Sequence, residues 1–293
     1  MINPARVTPE SRNLASEVEP IAVVTADFGP QWISHFSTLR NERRDCDKPS
    51  EDRAALDPIR QTVVIADGIT RTVGSDGTYP VQSPSARAAQ LFCETVVARA
   101  SQVSEMNAET MAAIMSEANE SIASLNREIF PDFDYGERDR AGVAAVVGVI
   151  EGESLWLASI ADCWCVGAKG DDITRLAWEK TSQARPEYRR LGEQTAREQL
   201  RNKPEHPKAY GACTGEPEAM HFVEYSKVDI SRFDRLVFSS DGLLPIAEED
   251  PLSLASLPAK QLMQLGQLLD RAHQETDDKT IVVLERKPKE PLS

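Results

Sequence analysis

Long apolar runs are absent from this chain, although a membrane-spanning helix needs about 20 consecutive apolar residues. Its first residues, Met-Ile-Asn-Pro-Ala-Arg, lack the basic-then-apolar order of a secretory signal, so a cytoplasmic location is expected, with no membrane partner. Positive charge is scarce too: 33 Lys and Arg stand against 47 Asp and Glu, a net charge of −14. Such a field repels phosphate backbones and argues against nucleic acid as a partner. It also repels a phosphorylated substrate unless a bound divalent cation reverses the sign locally.

The five cysteines are odd in number, which argues against a disulfide framework in a chain without a secretory signal. Cys163-Trp-Cys165 has no histidine close in sequence to complete the four N/S ligands of a structural zinc. Buried thiols in a strand are expected instead. None of the four histidines or the cysteines sits in a recognisable nucleophile motif, and no Asp-x-Asp-x-Asp-Gly calcium loop occurs. That last absence disfavours a structural calcium-binding protein. No internal repeat or low-complexity linker divides the chain. One folded unit is expected over 21–287, between a loose tail at 1–20 and a short one at 288–293.

What is present is three short acidic signatures, each joined to an apolar, β-like run: Thr62-Val-Val-Ile-Ala-Asp67-Gly68, Arg235-Leu-Val-Phe-Ser-Ser-Asp241-Gly242 and Asp277-Asp278-Lys-Thr-Ile-Val-Val-Leu284. Strand ends hold side chains rigidly. Carboxylates converging from several such ends would make an all-oxygen site for hard divalent cations. Taken singly, each Asp-Gly reads as a turn in which Asp caps the corner and Gly takes positive φ. The acid pairs Glu51-Asp52 and Asp277-Asp278, also taken singly, read as solvated loop charge.

Around these signatures the pattern predicts strands at Ile21–Ala26, Gln31–Phe36 and Val63–Ala66, with a charged loop over Asn41–Arg53 between them. Ser83-Pro84 reads as a helix start. Residues 85–103, with Ala86, Ala89, Leu91, Phe92, Val96 and Val97, and residues Ala108–Ile129, with Met111, Ile114, Met115, Ile122 and Leu125, follow helical spacing. Short strands follow at Val143–Ile150, Ser154–Ile160, Cys163–Ala168, Phe222–Tyr225, Leu236–Phe238 and Thr280–Leu284. Helices are expected at Leu191–Leu200 and at Leu257–Ala272, the latter sharing Leu262, Leu265, Leu268 and Leu269 on one face. Strand clusters alternate with helices but without regular βαβ units, an α+β arrangement of antiparallel sheets covered by helices.

The order and flanks of the acidic segments resemble the metal-dependent protein phosphatases, the type 2C serine/threonine family, in bacterial form. Ser50-Glu51-Asp52-Arg53-Ala54 is similar to the family's Asn-Glu-Asp motif, and Asp67-Gly68 to the start of its Asp-Gly-x-Gly-Gly. Ala141-Gly-Val-Ala-Ala145 resembles its Gly-Thr-Thr, and Ala161-Asp162-Cys163 its Gly-Asp-Ser. Ser240-Asp241-Gly242 resembles its Ser-Asp-Gly, and Asp277-Asp278-Lys279-Thr280 its Asp-Asn-x-Thr. The resemblance runs from about Ser50 to Glu285. It implies a central sandwich of two antiparallel sheets flanked by antiparallel helix pairs, in α-β-β-α layers.

It also implies hydrolysis of phosphoserine and phosphothreonine in proteins at a centre of two Mn²⁺ or Mg²⁺ ions. Asp67 would bridge the ions, the Gly68 carbonyl would bind one, and Asp241 and Asp277 the other. Glu51 and Asp52 would orient water around them, and Asp162 would help hold a third ion. The slot of the family's phosphate-binding arginine is Asp47 here, leaving Lys48, Arg53 and Arg71 (Arg44 also lies near) as candidates for that role. Asp67-Gly68 is followed by Ile-Thr-Arg, and Pro245 stands where the family has a further carboxylate.

Residues 185–208 carry Arg185, Arg189, Arg190, Arg197, Arg201, Lys203 and Lys208 against four glutamates. They fall within 183–215, where the family has a variable flap. A docking patch for the phosphoprotein, through Arg189 and Arg190, is one reading; a solvated helix face is the other. The alternative to an enzyme is the same fold kept as a catalytically weak binding or regulatory module.

Overall fold

The structure, a computed structural model, describes residues 21–40, 49–69, 83–129, 140–273 and 277–288. Two antiparallel sheets stack face to face. One has six strands in the order β1 (Val24–Phe28), β2 (Trp32–Leu39), β11 (Lys279–Arg286), β10 (Arg235–Ser239), β7 (Trp164–Lys169) and β8 (Asp172–Ala177). The other has five: β3 (Arg53–Asp57), β4 (Thr62–Gly68), β5 (Val143–Glu151), β6 (Ser154–Ile160) and β9 (Glu224–Asp229).

Alternation along each strand sorts side chains between two layers. From β4, Val63 and Ile65 enter the core between the sheets with Phe238, Val282 and Leu284. Val64 and Ala66 turn outward to a helical hairpin of α1 (Pro84–Gln102) and α2 (Ala108–Ile129). Phe238 is fully buried, and a Cβ on Gly148 of β5 would meet its ring at 2.8 Å, so the facing strands approach closely only because position 148 is bare.

The hairpin begins where the sequence places it. Ser83 Oγ accepts from the Ala86 amide at 3.1 Å, capping α1, and Pro84 stands in the first turn, where no intrahelical N–H is needed. In α2, Met111, Ile114, Met115, Ile122 and Leu125 are all buried. The other sheet is covered by α7 (Ala259–His273) with the short α5 (Leu244–Glu249) and α6 (Leu252–Ser256). Four cysteines, Cys93, Cys163, Cys165 and Cys213, are free and buried.

Several elements differ from the expectation. The stretch expected as a loop up to Arg53 gives way at Arg53 to β3, which pairs with β4 along its whole length. A further strand, β8, follows β7. The helix expected over 191–200 is present as α4 (Glu193–Leu200), and an unexpected α3 (Arg185–Leu191) precedes it, the two separated at Gly192, whose φ of 81° no right-handed helix contains. Residues Pro217–Phe222 form a 3-10 turn, so the strand expected from Phe222 starts at Glu224.

On α7, Leu262 and Met263 are buried while Leu268 is 41% exposed. At about 100° per residue the buried face centres near Gly266, which places Leu268 on the far side. No helix among the described residues is long and apolar enough to cross a membrane.

Candidate metal centre

The same alternation that sends Val63 and Ile65 into the sandwich sends Asp67 there too, one turn of the pleat further on, where the two sheets run out. Across from it on β5 is Ala144, small enough to leave room. Asp241 arrives from the other sheet just past β10, and Asp162 from the corner between β6 and β7. One carboxylate oxygen from each of Asp67, Asp162 and Asp241 lies within 4.8 Å of the others. Three chain segments that are distant in sequence therefore converge on one point.

Neither glycine beside these acids takes positive φ. The turn reading of Asp-Gly gives way to close approach. A Cβ on Gly68 would meet the Ser85 carbonyl at 2.7 Å and that of Glu51 at 2.9 Å, and one on Gly242 would collide with the Asp278 carbonyl. At Asp162 the strain falls on the residue before it: Ala161 holds φ at 67°, in the left-handed region that favours glycine.

Behind the triad lies a buried network. Glu51 and Asp52 are both buried rather than solvated. Ser240 Oγ donates to Asp52 Oδ2 at 2.7 Å, and the Thr280 amide donates to Ser240 Oγ at 3.0 Å. The Glu51 amide donates to Asp278 Oδ2 at 2.8 Å, and Ser83 Oγ donates to Glu51 Oε1. The hydroxyl that caps α1 thus also holds an acid of the site. Asp277 is half-buried, its Oδ1 accepting from the Asp278 amide at 2.8 Å. It lines a cleft of about 210 Å³ with Asp241, Gly242, Glu248, Asp270 and Arg185.

So much negative charge in one place is costly without cations. Burial first, then the neighbouring carboxylates, push Asp67 and Asp241 well above the usual carboxylate range. Asp52 is pushed up to about 7, mainly by burial, with Asp278 and Asp277 adding and the Ser240 hydrogen bond opposing. Burial raises Asp162 to about 6. Oδ1 of Asp52 and Oδ1 of Asp241 are buried without a hydrogen-bond partner among the described residues. Hard oxygen donors at this density, with buried lone pairs unsatisfied, fit divalent cations of the Mg²⁺ or Mn²⁺ type.

One buried residue was not singled out from sequence. Lys279 is 1% exposed, and its Nζ donates to Asp270 and, at 3.0 Å, to the Asp277 carbonyl. Its stem passes Gly266, where a Cβ would approach it to 3.1 Å. A lysine between an acid pair and a strand carried the only hint. The expected phosphate-binding candidates fare unequally: Lys48 and Arg71, like Arg44, Asp47 and Cys46, lie outside the described residues. Arg53 is half-buried, and its Nη1 donates to the carbonyls of Ser50 at 2.9 Å and Asp52 at 2.6 Å.

The basic segment forms a small cluster of its own, Ala184, Ala196, Leu200 and Tyr210, with Tyr188 and Leu191 against it. The Tyr188 and Tyr210 hydroxyls are hydrogen-bonded. Arg190 pairs with Glu187 of its own helix at 2.6 Å. Between this cluster and the sandwich opens a second cavity, of about 250 Å³, lined by Ala161, Asp162, Thr181, Arg185, Tyr188 and Arg197 among others.

No protein-family model matches the sequence, and no curated protein matches it by sequence. The fold does match solved structures. The catalytic domain of the serine/threonine phosphatase PstP, solved with two manganese ions, is 20% identical with a TM-score of 0.61, over 88% of this chain and 99% of that one. PstP/Ppp of Mycobacterium tuberculosis is 19% identical with a TM-score of 0.64, over 88% of this chain and all of that one. Stp1 from Staphylococcus aureus is 13% identical with a TM-score of 0.60, over 90% and 98%. The chain has the α+β fold of the bacterial metal-dependent serine/threonine phosphatases. Within that fold it carries an acidic cluster able to hold metal.

Proposed function

We propose that the chain is a Mn²⁺- or Mg²⁺-dependent phosphoprotein phosphatase acting on phosphoserine and phosphothreonine. The observation that carries this reading is the convergence of Asp67, Asp162 and Asp241 within 4.8 Å, at the end of the sandwich, beside a cleft open to solvent. The family likeness of the fold supports it.

Asp67, Asp241, Asp277 and the Gly68 carbonyl would hold two ions, with Asp162 close enough to Asp67 and Asp241 to join them. Bound metal supplies a water of lowered pKa and neutralises phosphoryl oxygens. Asp52 and Glu51, fixed through Ser240 and Ser83, hold their oxygens in place to orient water at the centre. Lys279 fixes the backbone of Asp277 and offsets part of the charge. The cleft admits the phosphoryl group from the side of Asp241 and Asp277. No side-chain nucleophile is needed: the thiol of Cys163 is buried and pushed well above its ordinary pKa by that burial.

Hydrolysis of p-nitrophenyl phosphate with Mn²⁺, with and without chelator, tests the proposal. Metal-dependent turnover that an Asp67→Asn variant loses supports the enzyme. Metal binding with no turnover on this ester or on any phosphopeptide leaves a binding module.

A further inference from the structure

We infer that Arg185 binds the phosphoryl group of the substrate from the flap side of the cleft, in the role the resemblance assigns to an arginine whose slot here is Asp47. The inference deepens the phosphatase reading and rests on it.

A phosphate monoester dianion entering a cleft walled by Asp241, Glu248, Asp270 and Asp277 meets like charge. Among the described residues lining that cleft, Arg185 is the one that carries positive charge. Three other cations among the described residues are committed elsewhere. Lys279 is buried against Asp270 and the Asp277 carbonyl. Arg53 donates to two backbone carbonyls, and Arg190 is paired with Glu187. Arg185 itself is exposed, and its side chain makes no hydrogen bond or ion pair to another described residue.

Its position is fixed from behind. Ala184 is buried in the cluster with Ala196, Leu200 and Tyr210, its amide donates to the Thr181 carbonyl at 2.9 Å, and Gln183 Nε2 donates to the Ala209 carbonyl at 2.8 Å. Arg185 opens α3 from this anchor and lines both cavities, the acidic cleft and the one floored by Ala161 and Asp162. The guanidinium therefore stands at the seam between them. A planar fork there can meet two phosphoryl oxygens with parallel N–H bonds, a geometry an ammonium does not offer.

The test is binding of inorganic phosphate to the full chain loaded with Mn²⁺, by calorimetry, alongside steady-state hydrolysis of p-nitrophenyl phosphate. The expected result for Arg185→Ala is phosphate affinity and kcat/KM each lowered by roughly tenfold or more, with Mn²⁺ affinity unchanged. Arg185→Lys should recover only part, and Lys169→Ala, at the exposed far end of β7, should behave as wild type. Wild-type phosphate affinity in Arg185→Ala overturns the inference while leaving the phosphatase reading intact. Absence of Mn²⁺-dependent turnover in the unmodified chain overturns that reading itself. Phosphate binding by wild type but not by Arg185→Ala would then still support the site.

Discussion

The hydroxyl of Ser240 donates to Asp52 Oδ2 at 2.7 Å, across 188 residues of sequence, and accepts from the Thr280 amide at 3.0 Å. One side chain thereby joins the segment carrying Asp241 to the acid behind the cluster and to the strand that follows Asp277. Ser240→Ala would remove a donor from buried Asp52 and leave the Thr280 amide without its acceptor, at a cost of about 1–3 kcal/mol. Urea unfolding at pH 7 should show that loss as a lower midpoint with an unchanged slope.

The carboxylates that would hold metal oppose one another without it. Asp241→Asn removes a charge beside Asp67 and lets an amide donate to it, so the metal-free protein should gain roughly 0.5–2 kcal/mol of stability. The same variant should lose Mn²⁺ binding. Thermal unfolding in chelator, paired with a Mn²⁺ titration, checks both signs.

pH should act in the sense opposite to ordinary acid denaturation. Asp52 near 7 and Asp162 near 6 are raised, chiefly by burial, above the unfolded value near 3.8, and burial pushes Asp67 and Asp241 up in the same direction. A carboxyl raised in the folded state favours folding fully below its unfolded value, and that advantage is lost as pH rises through the folded one. In chelator, the melting temperature should therefore fall between about pH 5 and pH 8. Saturating Mn²⁺ should flatten or reverse the trend, with protons released on binding.

Ala161 holds φ at 67°, a conformation that costs a non-glycine residue roughly 1–2 kcal/mol. Ala161→Gly should raise stability by up to about 1 kcal/mol after the loss of a buried methyl is subtracted. A lower melting temperature would contradict the account of strain at the Asp162 corner.

Much of this was legible where local and tertiary signals agreed. The hairpin of α1 and α2 shows in its capping Ser83-Pro84 and in the spacing of its apolar face. The acids appear at strand ends because apolar β-like runs lead into them. What was not legible depended on partners far away. Arg53-Ala-Ala-Leu-Asp57 has little intrinsic strand character and becomes β3 by pairing with β4. Gly68 and Gly242 are bare because other backbones approach them, which no turn rule conveys. Asp162 meets Asp67 and Asp241 where Ala161 turns the chain, a conformation its side chain gave no reason to expect. Arg185 emerged from a basic stretch in which the sequence pattern pointed to Arg189 and Arg190 instead.

The most direct test is calorimetric titration of the metal-free chain with Mn²⁺ at pH 7.5. Saturable uptake of two ions with proton release is expected, abolished in Asp67→Asn and sharply weakened in Asp241→Asn. No heat of binding in the unmodified chain, or uptake unchanged by either substitution, would contradict it.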